Sequence, residues 1–175
     1  MLDLKFPEKV KHLSAVIYRD ETLYQQVIKI CGKKFGSPDF ESKAIPFVFT
    51  DYYQPEMGPE LKRRFLSFPH LIRPEQITAI KLFNVKLEKK FACAKKRRIN
   101  VDPGYMNCAK LVLATTKDYS HRIYLNKGIF AEVTLTYKNN QWQDLPSTFP
   151  DYRTDVYKEI LSRIREIYCR QMKKC

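Results

Sequence analysis

His121-Arg-Ile-Tyr-Leu-Asn-Lys-Gly-Ile-Phe-Ala-Glu-Val-Thr-Leu-Thr-Tyr137 decides the fold class of this chain of 175 residues. Strand-forming residues alternate on either side of Asn126-Lys-Gly128, a three-residue loop that Gly128 closes. The pattern predicts a β-hairpin. Counting outward from the loop pairs Leu125 with Ile129, Ile123 with Ala131 and His121 with Val133. The same register sets Arg122 opposite Glu132 and Tyr124 opposite Phe130. It predicts Arg122 and Glu132 on the solvent side, with Ile123, Ala131 and Val133 turned inward.

Upstream, residues 108–115 are too uniformly apolar for periodicity to decide, and they are read as a short buried helix capped by Asn107. Before them, Ile99-Asn-Val-Asp-Pro-Gly-Tyr105 predicts a strand entering a type II turn at Pro103-Gly104. Pro74 opens a helix whose stripe is Ile77, Ile80, Phe83, Leu87 and Phe91. Short strands are expected at Phe65-Leu-Ser-Phe68 and at Ile45-Pro-Phe-Val-Phe-Thr50. Between them lies a shaped loop, residues 51–59, without regular structure.

At the start, Leu13-Ser-Ala-Val-Ile-Tyr18 predicts a strand. Asp20 then caps a helix with Tyr24, Val27, Cys31 and Phe35 on one stripe, and Gly36 ends it. This opening looks like the first half of a β-α-β unit. A last helix carries Val156, Ile160, Ile164 and Ile167 on one face. The elements together predict an α+β fold, one domain over residues 1–175. An antiparallel-dominated sheet would have two to four helices packed on it, with a ferredoxin-like core as the first arrangement to expect.

Composition sets the bounds of function. With 44% hydrophobic residues and 5 glycines, the chain has enough apolar surface for a real core. No run approaches the roughly 20 apolar residues of a membrane span, and charges break up the start, so no membrane association and a cytoplasmic address are expected. The five cysteines form no C-x-x-C pair, which speaks against zinc and against a disulfide framework. The net charge of +13 suggests nucleic acid as a partner. Much of that charge sits in residues 86–98, where seven Lys or Arg face one Glu. Residues 102–137 are nearly neutral.

No phosphate-cradling P-loop occurs; Asp102-Pro-Gly104 and Thr116-Lys-Asp118 are only fragments of nucleotide-binding loops. Asp102, Lys117 and Arg122 are candidates to hold an anionic ligand, such as a nucleotide or an RNA segment. Asp51 and Glu56, from a loop with paired tyrosines, and Arg63, from the basic run Lys62-Arg-Arg64 after it, join them as candidate ligand-binding residues. Asp118 and His121 are the candidate catalytic pair, a general acid and base acting on a phosphorylated small molecule. The hairpin register gives His121 a plainer role, half-buried on an apolar face, and makes Arg122–Glu132 a cross-strand pair. A third reading is a scaffold that docks a protein through Tyr52-Tyr53 and residues 142–152. No metal-ligand set or cofactor motif is present, and nothing in the sequence fixes the oligomeric state.

Several of these stretches carry a resemblance. They are Phe49-Thr-Asp-Tyr-Tyr53 with Pro55-Glu-Met-Gly58, Lys62-Arg-Arg-Phe65, Asp102-Pro-Gly-Tyr105, residues 110–125, Ala131-Glu-Val-Thr-Leu135 and Pro150-Asp-Tyr-Arg153. Together they resemble a prokaryotic family described as domain of unknown function 4416, over nearly the whole chain. Ser147 stands where that pattern has a tryptophan, and Asn126 where it has a glycine. The resemblance implies one domain and a cytoplasmic address, and it assigns no reaction, cofactor or catalytic residue.

Overall fold

Every residue of β1 (Val10–Tyr18) is buried, because helices cover both faces of the sheet it belongs to. The computed structural model describes residues 3–173. Further strands are β2 (Phe40–Glu41), β3 (Ile45–Pro46), β4 (Lys62–Ile72), β5 (Ile99–Met106), β6 (Lys110–Thr115), β7 (Ile123–Asn126), β8 (Ile129–Lys138) and β9 (Gln141–Asp144). Helices are α1 (Glu21–Phe35), α2 (Gln54–Met57), α3 (Ile77–Lys90) and α4 (Asp155–Gln171). The strands form one sheet in the order β2-β4-β1-β5-β6-β8-β7, with β3 on β4 and β9 on β8. All its pairings are antiparallel. The α+β class therefore holds, with four helices. Among the described residues, no helix is long and apolar enough to cross a membrane.

Alternation along β1 sends Leu13 and Ala15 to one face and Val16 and Tyr18 to the other. The first face packs on Tyr157, Leu161 and Ile164 of α4, the second on Leu23, Tyr24 and Val27 of α1 and Leu87 of α3. The opening does not continue into parallel pairing, because β1 and β4 are direct antiparallel neighbours. A split β-α-β unit occurs one step later: β4, α3 and β5 flank β1, which is antiparallel to both. The caps of α1 are those expected. Asp20 accepts from the Leu23 amide at 3.1 Å, and Gly36 ends the helix at a φ of 91°.

Other expectations are corrected. Residues 110–115 are strand, not helix. Leu111 and Leu113 join the α4 side while Ala114 packs with Ile77 of α3, and cover on both faces erases the polar half of the pattern. Pro103-Gly104 is not a turn but lies within β5. The predicted strand of residues 45–50 shrinks to β3, that of 65–68 lengthens to β4, and the loop of 51–59 contains the single turn α2. On α4 the buried stripe is Tyr157, Leu161, Ile164 and Tyr168, and Val156 is exposed. Tyrosine can bury its ring while its hydroxyl finds a partner, as Tyr168 does on the Lys9 carbonyl at 3.0 Å.

The hairpin keeps two of its expected pairs and buries Ala131 as expected, but Ile123 is open and the Arg122–Glu132 pair is covered. Ile123 pairs with Ala131 and Tyr124 with Phe130 as expected, but Asn126 pairs with Ile129, so Leu125 is bulged. The loop is the two residues Lys127-Gly128, both at positive φ, the type I′ geometry. Ile123 is 71% exposed, whereas Arg122 and Glu132 have side chains only 5% and 3% exposed. The reason is position in the sheet. β7 is the outer strand, and a gap lined by Glu75, Ile77, Tyr124 and Leu125 separates it from the start of α3. The other face is roofed by the loop that carries Phe149, so the ion pair lies in a cleft.

Candidate functional site

The sheet opens between β5 and β6. Their ladder stops at the Gly104–Leu113 pair, while Ala114 and Thr115 continue only along β8. Two features of the sequence set the opening there. Val101 turns its amide toward Glu88 and its carbonyl toward Asn84, both on α3. Every second residue of a strand faces the same edge, so the missing N–H of Pro103 lies where the ladder ends. Gly104 then allows the last close approach, since a Cβ would meet the Val112 carbonyl oxygen at 2.6 Å.

Past the opening, α3 supplies what β6 no longer does. Glu88 accepts from the Val101 amide at 2.7 Å, and Asn84 donates to the Val101 carbonyl at 3.4 Å. Lys81 donates to Asp102 at 2.8 Å, and Asn100 donates to the other oxygen of that carboxylate at 2.7 Å. The space left between the strands is a chamber of about 150 Å³. Its charged lining is Lys81, Arg97, Lys117 and Arg122 against Glu88, Asp102 and Glu132. A second chamber, about 470 Å³, adjoins it and is walled by Phe47, Phe49, Tyr52, Tyr53, Phe149 and Tyr152, with Arg63 and Asp151 also in its lining. Tyr52, Tyr53, Asp102, Leu113, Lys117 and Phe149 line both.

Most of these charges are already matched. Arg97 donates to Glu56 through its backbone amide, Nε and Nη2, and to Asn100 through Nη1. Arg63 pairs with Asp151, both nearly inaccessible. Arg122 donates to Glu132 at 2.7 Å and to the Lys117 carbonyl at 3.0 Å. Lys117 differs. Its ammonium lies 3.9 Å from the centre of the Tyr52 ring and, among the described residues, has no carboxylate within ion-pair distance. That ammonium, by hydrogen bonding, holds the Tyr52 phenol below its ordinary range.

Two neighbouring carboxyls are driven apart. Burial pushes Glu88 up to about 7 and the Asp102 charge adds to the rise, against the pull of Lys81 and the Val101 amide. Burial also opposes the Asp102 charge, but Lys81, then Arg63 and Asn100, outweigh it and hold that carboxyl below its usual value. A group that can carry a proton near neutrality beside one that stays charged is an arrangement suited to acid–base chemistry. Among the described residues, buried polar atoms around the cleft without a protein hydrogen-bond partner include Glu132 Oε1, Arg63 Nε, Asn84 Oδ1 and the Tyr157 hydroxyl.

The residues singled out from sequence divide into two groups. Asp102, Lys117, Arg122 and Arg63 line the cleft, and Glu56 supports it through Arg97. Asp51, Asp118 and His121 are exposed and are not among the lining residues. Asp51 bonds to Gln54, and His121 meets Glu132 at 3.0 Å from the outer side. Trp142, suggested as part of a docking patch, is buried beside Tyr137. Lys81, Glu88 and Arg97 were missed as site residues. The signal was present: Lys81, Asn84 and Glu88 are polar at helical spacing, on a flank of the apolar stripe.

A family model described as Domain of unknown function (DUF4416) matches residues 8–168. The chain belongs to that family. The matched span of the DUF4416 model contains every residue that lines the two chambers, so the whole cleft lies within the family's domain. No curated protein and no solved structure matches the chain.

Proposed function

We propose that this domain binds a small anionic ligand that carries a flat ring, and that a nucleotide is the class that suits both chambers. Lys117 carries the reading, as a cleft cation that no carboxylate among the described residues neutralises, set where the polar and aromatic chambers meet. An anionic group would pair with its ammonium, helped by Arg122, while the ring stacks on Tyr52 or Phe149, both exposed. Exposed Lys95 and Lys96, beside Arg97, would extend the same chemistry to an RNA segment. A cytoplasmic setting, where nucleotides are plentiful, is part of the proposal.

Calorimetric titration with nucleoside monophosphates at low ionic strength tests it. Lys117→Ala should weaken binding by about tenfold or more, the loss of one charge-assisted contact. Stability should change by no more than about 0.5 kcal/mol, because the residue is exposed. Heat signals absent up to millimolar ligand, or identical affinities for the two proteins, would reject the reading.

A second reading, acid–base chemistry on the bound molecule, is favoured by the opposed carboxyls. It moves the catalytic assignment from Asp118 and His121 to Glu88, with Asp102 as the group that keeps its charge. Glu88→Gln retains an acceptor for the Val101 amide and removes the proton. The variant should bind a converted nucleotide as the native protein does while losing at least about a hundredfold in turnover followed by NMR. Unchanged turnover would exclude Glu88.

A further inference from the structure

Glu132 has a side chain 3% exposed on the floor of the polar chamber. One of its oxygens, Oε2, takes both available protein donors: Arg122 Nε at 2.7 Å and His121 Nε2 at 3.0 Å. The other, Oε1, is closed to water and has no protein partner among the described residues. Buried carboxylate oxygens are rarely left this way, because the lost hydration is costly when nothing replaces it. The side chain is also fixed in place. Arg122 is anchored on the Lys117 carbonyl and covered by the Tyr119 ring, 4.8 Å from its guanidinium carbon. A carboxylate clamped through one oxygen leaves the second as an acceptor for a donor from outside the protein, which must part the chamber lining to reach it.

We propose that Glu132 is a specificity residue that selects ligands presenting an N–H donor, and hence nucleotides whose base carries an exocyclic amine. The inference rests on the nucleotide reading above and names which nucleotides. Tyr52, Tyr53 and Phe149 line both chambers, so a ring stacked on them turns an edge to the polar chamber, where Glu132 lies. A base with an amine on that edge supplies the missing hydrogen bond. One with no donor there leaves the carboxylate oxygen unsatisfied and loses affinity for that reason.

The test uses matched pairs in calorimetry on the whole protein: adenosine 5′-monophosphate against purine riboside 5′-monophosphate, and cytidine 5′-monophosphate against its 4-deamino analogue. Each pair differs by a single amine. At least one amino nucleotide should bind roughly ten- to a hundredfold tighter than its partner, the range of a hydrogen bond to a charged group. In Glu132→Gln, which keeps the size of the side chain and loses its charge, that ratio should fall to within about threefold. Binding of both members with equal affinity would overturn the role of Glu132 while leaving the nucleotide reading intact. A ratio that survives in Glu132→Gln would assign the selection to another residue and overturn it too. Binding of none would reject the nucleotide reading and this inference with it. If Glu132→Gln fails to fold, equal affinities within the matched pairs of the native protein still overturn the role of Glu132.

Discussion

Arg63→Met is expected to destabilise the domain by about 3–5 kcal/mol, a large share of what a domain this size has to lose. Arg63 on β4 and Asp151, just before α4, have side chains only 5% and 7% exposed, and they form an ion pair. The guanidinium also lies over Phe47, 4.6 Å from the ring centre, and 5.6 Å from the rings of Tyr152 and Tyr157. Methionine fills a similar length but leaves Asp151 charged, buried and without a cation. The same segment starts α4, since the Asp151 carbonyl accepts from the amide and hydroxyl of Thr154, the helix N-cap. Harm at Asp151 therefore spreads to the helix that covers one face of the sheet. Removing both charges should be milder than removing one, so Arg63→Met with Asp151→Leu should recover much of the loss. Urea unfolding measures all three proteins. A single variant within about 1 kcal/mol of native, or a double variant no better than the single, would show that the pair does not carry this load.

Arg63 also shows what sequence could and could not reveal. It was legible as a candidate because it follows a loop rich in prolines and tyrosines, and it does line the aromatic chamber. Its partner lies 88 residues further on, a distance that no local pattern encodes. Elements with caps and one exposed face were readable: α1 between Asp20 and Gly36, and the pairing of Ile123 with Ala131. Elements covered on both faces were not, and β6 was mistaken for helix for that reason. The faces of β7 were misassigned because apolar alternation tells which residues share a side, and only the third dimension tells which side is covered. In the cleft, Asp102, Lys117 and Arg122 were found because they sit near loops and stand out against apolar runs. Lys81 and Glu88 were hidden, because charge on a helix is read as a solvated face until the strand edge that it satisfies is known.

That hidden carboxyl and a buried histidine should make the stability of the domain almost level between pH 7 and pH 5, through two large and opposite effects. His12 on β1 is 1% exposed, stacked on Phe68 at 4.6 Å and edge-on to Phe35 at 4.8 Å. Burial, with Lys11 adjacent, pushes it down to about 3 from an ordinary value of 6.5. The unfolded chain therefore binds a proton between those values that the folded chain refuses, so this group removes stability as pH falls below 6.5. Glu88 works the other way. Its folded value of about 7 lies above the ordinary 4.5, so the folded chain holds the extra proton in that window and gains stability as pH falls from 7. Between pH 7 and pH 5 each effect amounts to about 2 kcal/mol, since one unit is worth about 1.4 kcal/mol. Two substitutions separate them. Glu88→Gln should leave His12 unopposed, so that variant should lose about 2 kcal/mol on going from pH 7 to pH 5. His12→Phe keeps a ring among Phe35 and Phe68 and removes the titration, and it should gain a similar amount over the same interval. Unfolding curves at both pH values decide the matter. If either variant is as level as the native protein, the compensation is absent and the corresponding group does not titrate as its burial dictates.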